Sequence, residues 1–380
     1  MKRVSRILAT GLAALAFTSA AHAQFYNLSG TPMLAVTGLS YDGSRAVGVN
    51  GDNTPFFMWT AAGGVQTGVG DFIGGQASIS YDGNTVSINA INPNNGNREM
   101  ALYNWNSGTT TMVGSLGNVT DRNDAATAFG LSGDGKTVVG LGWLAGSGAH
   151  AVSGTVAGGV TDLGSSVANR STRANTANYD GSVIGGWQDD GTGFWRGAVW
   201  KNGVQTVLNS GDEWTLLGPV NALSADGKWA VGGATNDMAY RWSEAGGAEY
   251  IGAGLYWGDA AKANAISADG RIIIGTSRSW DTPPMWGSGF IWTEDLGLVD
   301  LTQLATSMGM DLQGITLAIP TAISGDGQTI AGMGSNGAGF VLHLPTNLVP
   351  VPEPSTFVLL MLGLAVCALK ARHPRFSNRT

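Results

Sequence analysis

The sequence predicts an all-β body, a β-propeller of seven four-stranded blades, and three observations predict it. A Ser-x-Asp-Gly turn signature recurs six times, with a seventh copy as the variant Asn178-Tyr179-Asp180-Gly181; the Asp positions (42, 82, 134, 180, 226, 269 and 326) lie 40 to 57 residues apart; and the body opens on a lone strand that its last repeat lacks. Spacings of that size suit blades of four short strands with loops of unequal length.

The chain of 380 residues is taken in order. Lys2, Arg3 and Arg6 form a cationic start, 7–17 is apolar, and Ala21-His22-Ala23 puts small residues at −3 and −1 before Gln24. This order is that of a secretory signal peptide, assigned to 1–23 with cleavage between Ala23 and Gln24.

The repeat domain is assigned to 24–346. Glycine is frequent, at 59 residues, but 43% of the chain is hydrophobic and only 12% charged, which fits neither a disordered nor a collagen-like chain. Glycine acts instead as punctuation between strands. In Leu131-Ser132-Gly133-Asp134-Gly135 and its copies, Asp-Gly forms a hairpin turn, because glycine accepts positive φ and Asp bonds nearby amides. A β-branched pair and usually a glycine follow, as in Val138-Val139-Gly140, Val183-Ile184-Gly185 and Ile273-Ile274-Gly275. Then come a variable polar loop, a strand ending in Trp59, Trp105, Trp200, Trp242 or Trp292, and a Gly-rich turn into a fourth strand. The seventh repeat stops near Leu344, whereas Phe25-Tyr26-Asn27-Leu28 reads as an orphan fourth strand, so pairing the two would close the ring. An open solenoid fits such unequal repeats less well.

The last segment, 347–380, has three parts. Val351-Pro352-Glu353-Pro354-Ser355 precedes a helix assigned to 356–369, and Lys370, Arg372, His373, Arg375 and Arg379 make a basic tail over 370–380. Such a helix is short for a bilayer, and the basic tail stays cytoplasmic under the positive-inside rule, which leaves the body outside. This end resembles the PEP-CTERM sorting signal. The resemblance implies recognition by the membrane protease-transpeptidase exosortase, cleavage near Pro352-Glu353-Pro354, and release or attachment at the surface, often in exopolysaccharide-producing bacteria.

Gly148-Ala149-His150-Ala151-Val152 and Thr161-Asp162-Leu163-Gly164 resemble the extracellular HAF repeats, although most copies replace the His and Phe, as Arg196-Gly197-Ala198-Val199-Trp200 does. The turns also resemble the Asp-box of sialidases but lack its closing aromatic, so no glycosidase activity follows.

Between 24 and 350 the chain carries 13 Lys and Arg against 26 Asp and Glu, a balance of −13 that disfavours nucleic acid. The single cysteine, Cys367, lies in the C-terminal apolar run, so the body has no disulfide, thiol nucleophile or Cys-based metal site. The seven Asp residues read as turn formers, too far apart to share one calcium ion. Asp189 with Asp190, and Asp121 with Asp124, are better-placed acids but read as solvated loop charges, and His150 and His343 read as structural. No catalytic residue, metal site or cofactor is expected. The consensus tryptophans read as packing between blades. Trp143, Trp195, Trp280 and Trp286 lie in or beside the variable second-to-third strand loops, where an indole can stack on a sugar ring. These observations lead to an exported, non-enzymatic surface or matrix protein that binds polysaccharide or another surface protein. The alternative is a secreted glycan hydrolase or lyase whose paired acids come from different blades.

Overall fold

The computed structural model describes residues 23–29, 34–50, 56–71, 74–117, 124–145, 148–345 and 348. The expected signal segment up to 22, including Ala21, the sorting residues Val351, Pro352, Glu353, Pro354 and Ser355, the helix at 356–369 and the basic tail lie outside them. Among the described residues no helix is long and apolar enough to cross a membrane.

Seven antiparallel four-stranded sheets form the blades of a propeller. Their innermost strands, from the first blade to the seventh, are Leu34–Leu39, Ser78–Ile79, Ala126–Leu131, Thr172–Ala177, Ala222–Leu223, Ala260–Ile266 and Ile319–Ile323. Residues in or beside all seven line one central channel. The strand at Gln24–Asn27 supplies the outer strand of the seventh blade, pairing with Gly339–His343 from Gln24 opposite His343 to Asn27 opposite Phe340. Tyr26 of this strand meets Trp59 of the first blade edge-on at 5.0 Å, so the closure also packs across the seam.

The Ser-x-Asp-Gly turns join first to second strands, and each is bonded internally. In the third blade the Ser132 hydroxyl donates to Asp134 Oδ1 at 2.7 Å, the Lys136 amide donates to the same oxygen, and the Thr137 amide donates to Ser132 Oγ. The fourth blade keeps the geometry with Asn178 in place of serine. The seven turns also bond to one another in a closed ring. Amides of Tyr41, Tyr81, Tyr179, Ala225 and Ala268 donate to carbonyls of Tyr81, Gly133, Ala225, Ala268 and Gly325 at 2.8 to 3.1 Å. The two links that leave a glycine position use the next amide: Asp134 donates to Tyr179, and Asp326 donates back to Tyr41. Three tyrosines and four small residues share this crowded ring. Tyr81 and Tyr179 touch at 5.5 Å across Gly133, where a Cβ would lie 2.7 Å from the Tyr179 ring. Burial, with Tyr41 and Tyr179 beside it, pushes the Tyr81 hydroxyl up to about 12.

The glycine that follows the β-branched pair has a steric cause. In five blades the inner strand bulges, at Thr37, Phe129, Asn175, Asn264 and Thr321. The second strand of these blades then runs so close that a Cβ on Gly48, Gly140, Gly186, Gly275 or Gly332 would lie 1.9 to 2.1 Å from an inner-strand carbonyl, and in the fifth blade one on Gly232 would lie 2.5 Å from the Pro219 carbonyl, ahead of its inner strand. The equivalent residue in the fourth blade is therefore Gly186, one beyond the expected Gly185.

Trp59, Trp200 and Trp292 are buried between blades, as expected, and the Trp200 indole N–H donates to the Leu163 carbonyl of the preceding blade at 3.1 Å. Trp105 departs from the pattern. Trp59 sits opposite Ala46, whereas the matching partner of Val86 is Tyr103, so Trp105 falls beyond the strand and takes the Arg45 guanidinium over its ring at 5.0 Å. The long spacing before Asp326 holds a helix, α1 (Leu301–Ser307), capped by Asp300 Oδ1 accepting from the Gln303 amide.

Candidate functional site

Strand direction assigns each loop to a face. The Ser-x-Asp-Gly turns and the third-to-fourth strand turns share one end of the antiparallel blades; the second-to-third loops and the links between blades share the other.

On that loop face, blades four to six present a run of exposed indoles. Trp257 is fully exposed, Trp214 is 89% exposed, Trp286 75%, Trp280 68% and Trp195 49%, and Tyr256 joins them. Apolar rings left in water on one sector of one face mark an interaction surface. Three of these, Trp195, Trp280 and Trp286, are among the tryptophans singled out in the sequence. The fourth, Trp143, is half-buried at the end of its strand in the third blade, with its amide donating to the Ala125 carbonyl. Trp214 and Trp257 were not read from the sequence, because they lie in links between blades; strand parity places those links on the same face.

The exposed rings differ in support. Trp195 stacks on buried Trp187 at 4.6 Å with an 8° tilt, which holds its outer face rigid. Tyr256 accepts from Gln303 Nε2 and donates to Asp300 Oδ2, tying the Trp257 link to the start of α1. Trp286 ends the 3-10 turn Pro284–Trp286, and the Arg278 guanidinium donates to the Thr282 carbonyl at 2.8 Å, bracing the loop that carries Trp280.

Beside Trp280 opens a cleft of about 570 Å³ lined by Phe194, Pro219, Asp237, Lys262 and Arg278 among others. Ligand sites commonly have this volume and this mix of apolar wall and a few polar groups. The central channel, about 370 Å³, adjoins it and shares Lys262, Asn264 and Thr321. At the axis the side chains of Thr37, Asn175, Asn221 and Asn264 donate to carbonyls of the next blade at 2.6 to 2.9 Å, and Thr321 donates to Val36. Phe129 breaks this ring. Its face instead takes the Arg173 guanidinium at 4.2 Å, and Arg173 also lies 5.5 Å from the Trp187 ring, so cation and aromatics form one ladder from the axis to Trp195. Burial pushes Arg173 down to about 10. Lys262 is lowered by burial and then by Arg173 and Arg278. Water reaches Lys262 along the channel, yet protein encloses it on most sides; a lined cavity accounts for both.

Most of the other expected acids and histidines within the described residues bond inside the chain. Asp189 accepts from Gly191 and faces Arg170 at 3.6 Å; Asp190 accepts from the Thr192 amide and hydroxyl. Asp124 faces Arg98 at 3.8 Å, and Asp121 lies outside the described residues. His150 contacts Asp162 at 2.9 Å, and His343 contacts Thr329 at 2.8 Å. Of the expected cleavage residues, Ala23 precedes the closing strand and Gln24 opens it. Among the described residues no group of three or more His, Cys, Asp or Glu is placed to hold a metal.

Residues 350–375 match the PEP-CTERM protein-sorting motif. The motif implies export to the cell envelope or surface, with exosortase as processing partner. No curated protein matches the chain. Among solved structures, the oligogalacturonate lyase of Vibrio parahaemolyticus is similar over 86% of this chain and 94% of its own, with a TM-score of 0.55 and 12% identity. A chain of the mitotic checkpoint complex is similar over 90% of this chain and 98% of its own, with a TM-score of 0.50 and 15% identity. At these identities the likeness is one of fold alone. The chain thus joins a propeller body to an export and sorting address of the PEP-CTERM type.

Proposed function

We propose that the exported body is a non-enzymatic glycan-binding propeller of the cell surface or its matrix, and that its ligand lies across the indoles of blades four to six. The observation that carries this reading is the exposure of Trp195, Trp214, Trp257, Trp280 and Trp286 on one sector of one face. A flat ring with a polar edge suits the apolar face of a sugar, and several in a row suit a chain of sugars. The sorting motif supports the location, since it delivers the body to where surface polysaccharide is found. Kinship with HAF-type extracellular repeats, supported by 148–152 and 161–164, and a transient anchor at 356–369 belong to the same proposal.

The test is titration of the purified protein with polysaccharide from the producing cells, followed by tryptophan fluorescence and calorimetry. Saturable binding is expected, with no shortening of the polymer. Replacing Trp257, Trp280 and Trp286 together by Ala should weaken it by about tenfold or more, each stacked ring contributing on the order of 1 kcal/mol. Absence of saturable binding would remove the reading; depolymerisation would replace it by the hydrolase or lyase alternative.

A further inference from the structure

We propose that the junction of the central channel with the Trp280 cleft is an anion site, built to receive the carboxylates of an acidic, uronic-acid-type polysaccharide on Lys262, Arg278 and Arg173. The inference rests on the glycan-binding reading and deepens it by naming the ligand's charge.

The first support is the charge distribution. The body carries twice as many acids as bases, 26 against 13, yet no Asp or Glu is among the described residues lining the channel, whereas Arg173 and Lys262 are. Most bases elsewhere are spent on acids: Arg98 faces Asp71, Lys136 faces Asp134, Lys201 faces Glu244, Lys228 faces Asp226, and Arg241 faces Glu249 and Glu294, whereas Arg45 and Arg196 bond to amide and carbonyl oxygens. The three cations of the junction face no carboxylate. Arg173 donates to Asn175 Oδ1 and Arg278 to the Thr282 carbonyl. The Lys262 ammonium makes no hydrogen bond or ion pair among the described residues.

The second support is that this arrangement is unfavourable when empty. Burial disfavours the charge of Lys262 and of Arg173, Arg173 and Arg278 add repulsion at Lys262, and no carboxylate of the chain offsets this; an incoming anion would. Third, position couples the site to the indoles. Lys262 belongs to both cavities and Trp280 lines the cleft, so a polymer stacked on the loop face passes within reach of the cations. Asp237 on the cleft wall is the one carboxylate nearby, and it disfavours anions at that wall rather than in the channel. A carboxylate on a chain and a small free anion share this chemistry; the aromatic approach favours the chain.

The experiment is calorimetric titration of the full exported protein with alginate, dextran, glucuronate and inorganic phosphate as separate probes. Alginate is expected to bind more tightly than dextran and to weaken as salt rises from about 50 to about 500 mM. Lys262→Gln should reduce alginate affinity by about tenfold or more, with dextran binding unchanged and the thermal midpoint no lower. Lys228→Gln, on the turn face, should leave alginate binding as it is. Equal binding of alginate and dextran, with Lys262→Gln silent, would overturn the anion site and leave the stacking reading standing. Binding of neither polymer would remove both. Phosphate or glucuronate matching alginate, charge for charge, would overturn the assignment to a polymer.

Discussion

On one face of the propeller all seven blades contribute nearly the same turn, and the turns bond head to tail in a ring; on the other, each blade contributes a loop of its own length, and five indoles stand in water. The turn face has its donors matched to acceptors, and its half-exposed rings, Tyr41 and Tyr179, are braced against Tyr81 between them. The loop face has aromatic surface without cover and cations without counter-ions. Both faces grow from the same strands, so the fold does not dictate the difference. Repetition accumulates where it serves closure, and departure from repetition accumulates where a ligand can be met.

The sharpest way to break this contrast is to remove a tryptophan that belongs to closure. Trp200 is buried and bonded to the neighbouring blade. Trp200→Ala should lower stability by about 3–5 kcal/mol, because it leaves a large cavity and an unpaired carbonyl at a blade junction. Scanning calorimetry should show the midpoint fall on the order of 5–10 °C. A fall no larger than that of a loop-face tryptophan would show that consensus and exposed indoles do not differ in role.

That distinction was only partly legible in the sequence. The turn signature, the blade length and the orphan strand at Gln24–Asn27 were readable because each recurs or is missed at a fixed place. Trp214 and Trp257 were not, since the links between blades carry no repeated motif to align them. Trp105 was misplaced by two residues, because strand ends blur where only a residue type is followed. Arg173 and Lys262 sit on inner strands two blades apart, and nothing short of ring closure brings them to one axis. The seven-residue α1 was missed because it makes barely two turns and its apolar residues resemble those of a strand.

Acid should act on the turn face through its carboxyls. Burial raises the carboxyls of Asp42, Asp82, Asp134 and Asp226, but bonds from the turn serine and the following amides outweigh it and hold each below its ordinary value; Ser182 does the same for Asp180. A carboxyl whose folded pKa is depressed contributes stability that is complete above its unfolded value, about 3.9, and is lost as pH falls through the folded one. The midpoint should therefore hold steady from about pH 7 to 5 and drop below about pH 4. Replacing Asp42, Asp82 and Asp134 together by Asn should lower stability at neutral pH and flatten the acid limb. An unchanged limb in that variant would move the acid response away from the turns.

The smallest effect should come from Trp257→Ala, and its smallness is what makes it informative. The indole is fully exposed, so its removal opens no cavity and uncovers no partner; the expected change in stability is within about 0.5 kcal/mol. Its neighbour Tyr256 already ties the link to Asp300 and Gln303, so the loop keeps its anchor without the tryptophan. A side chain that contributes nothing to the fold, yet keeps a large apolar ring in water, is accounted for by what it meets outside. If Trp257→Ala instead cost more than about 1 kcal/mol, the ring would be holding its own loop in place and the loop face would have to be read, like the turn face, as a product of packing.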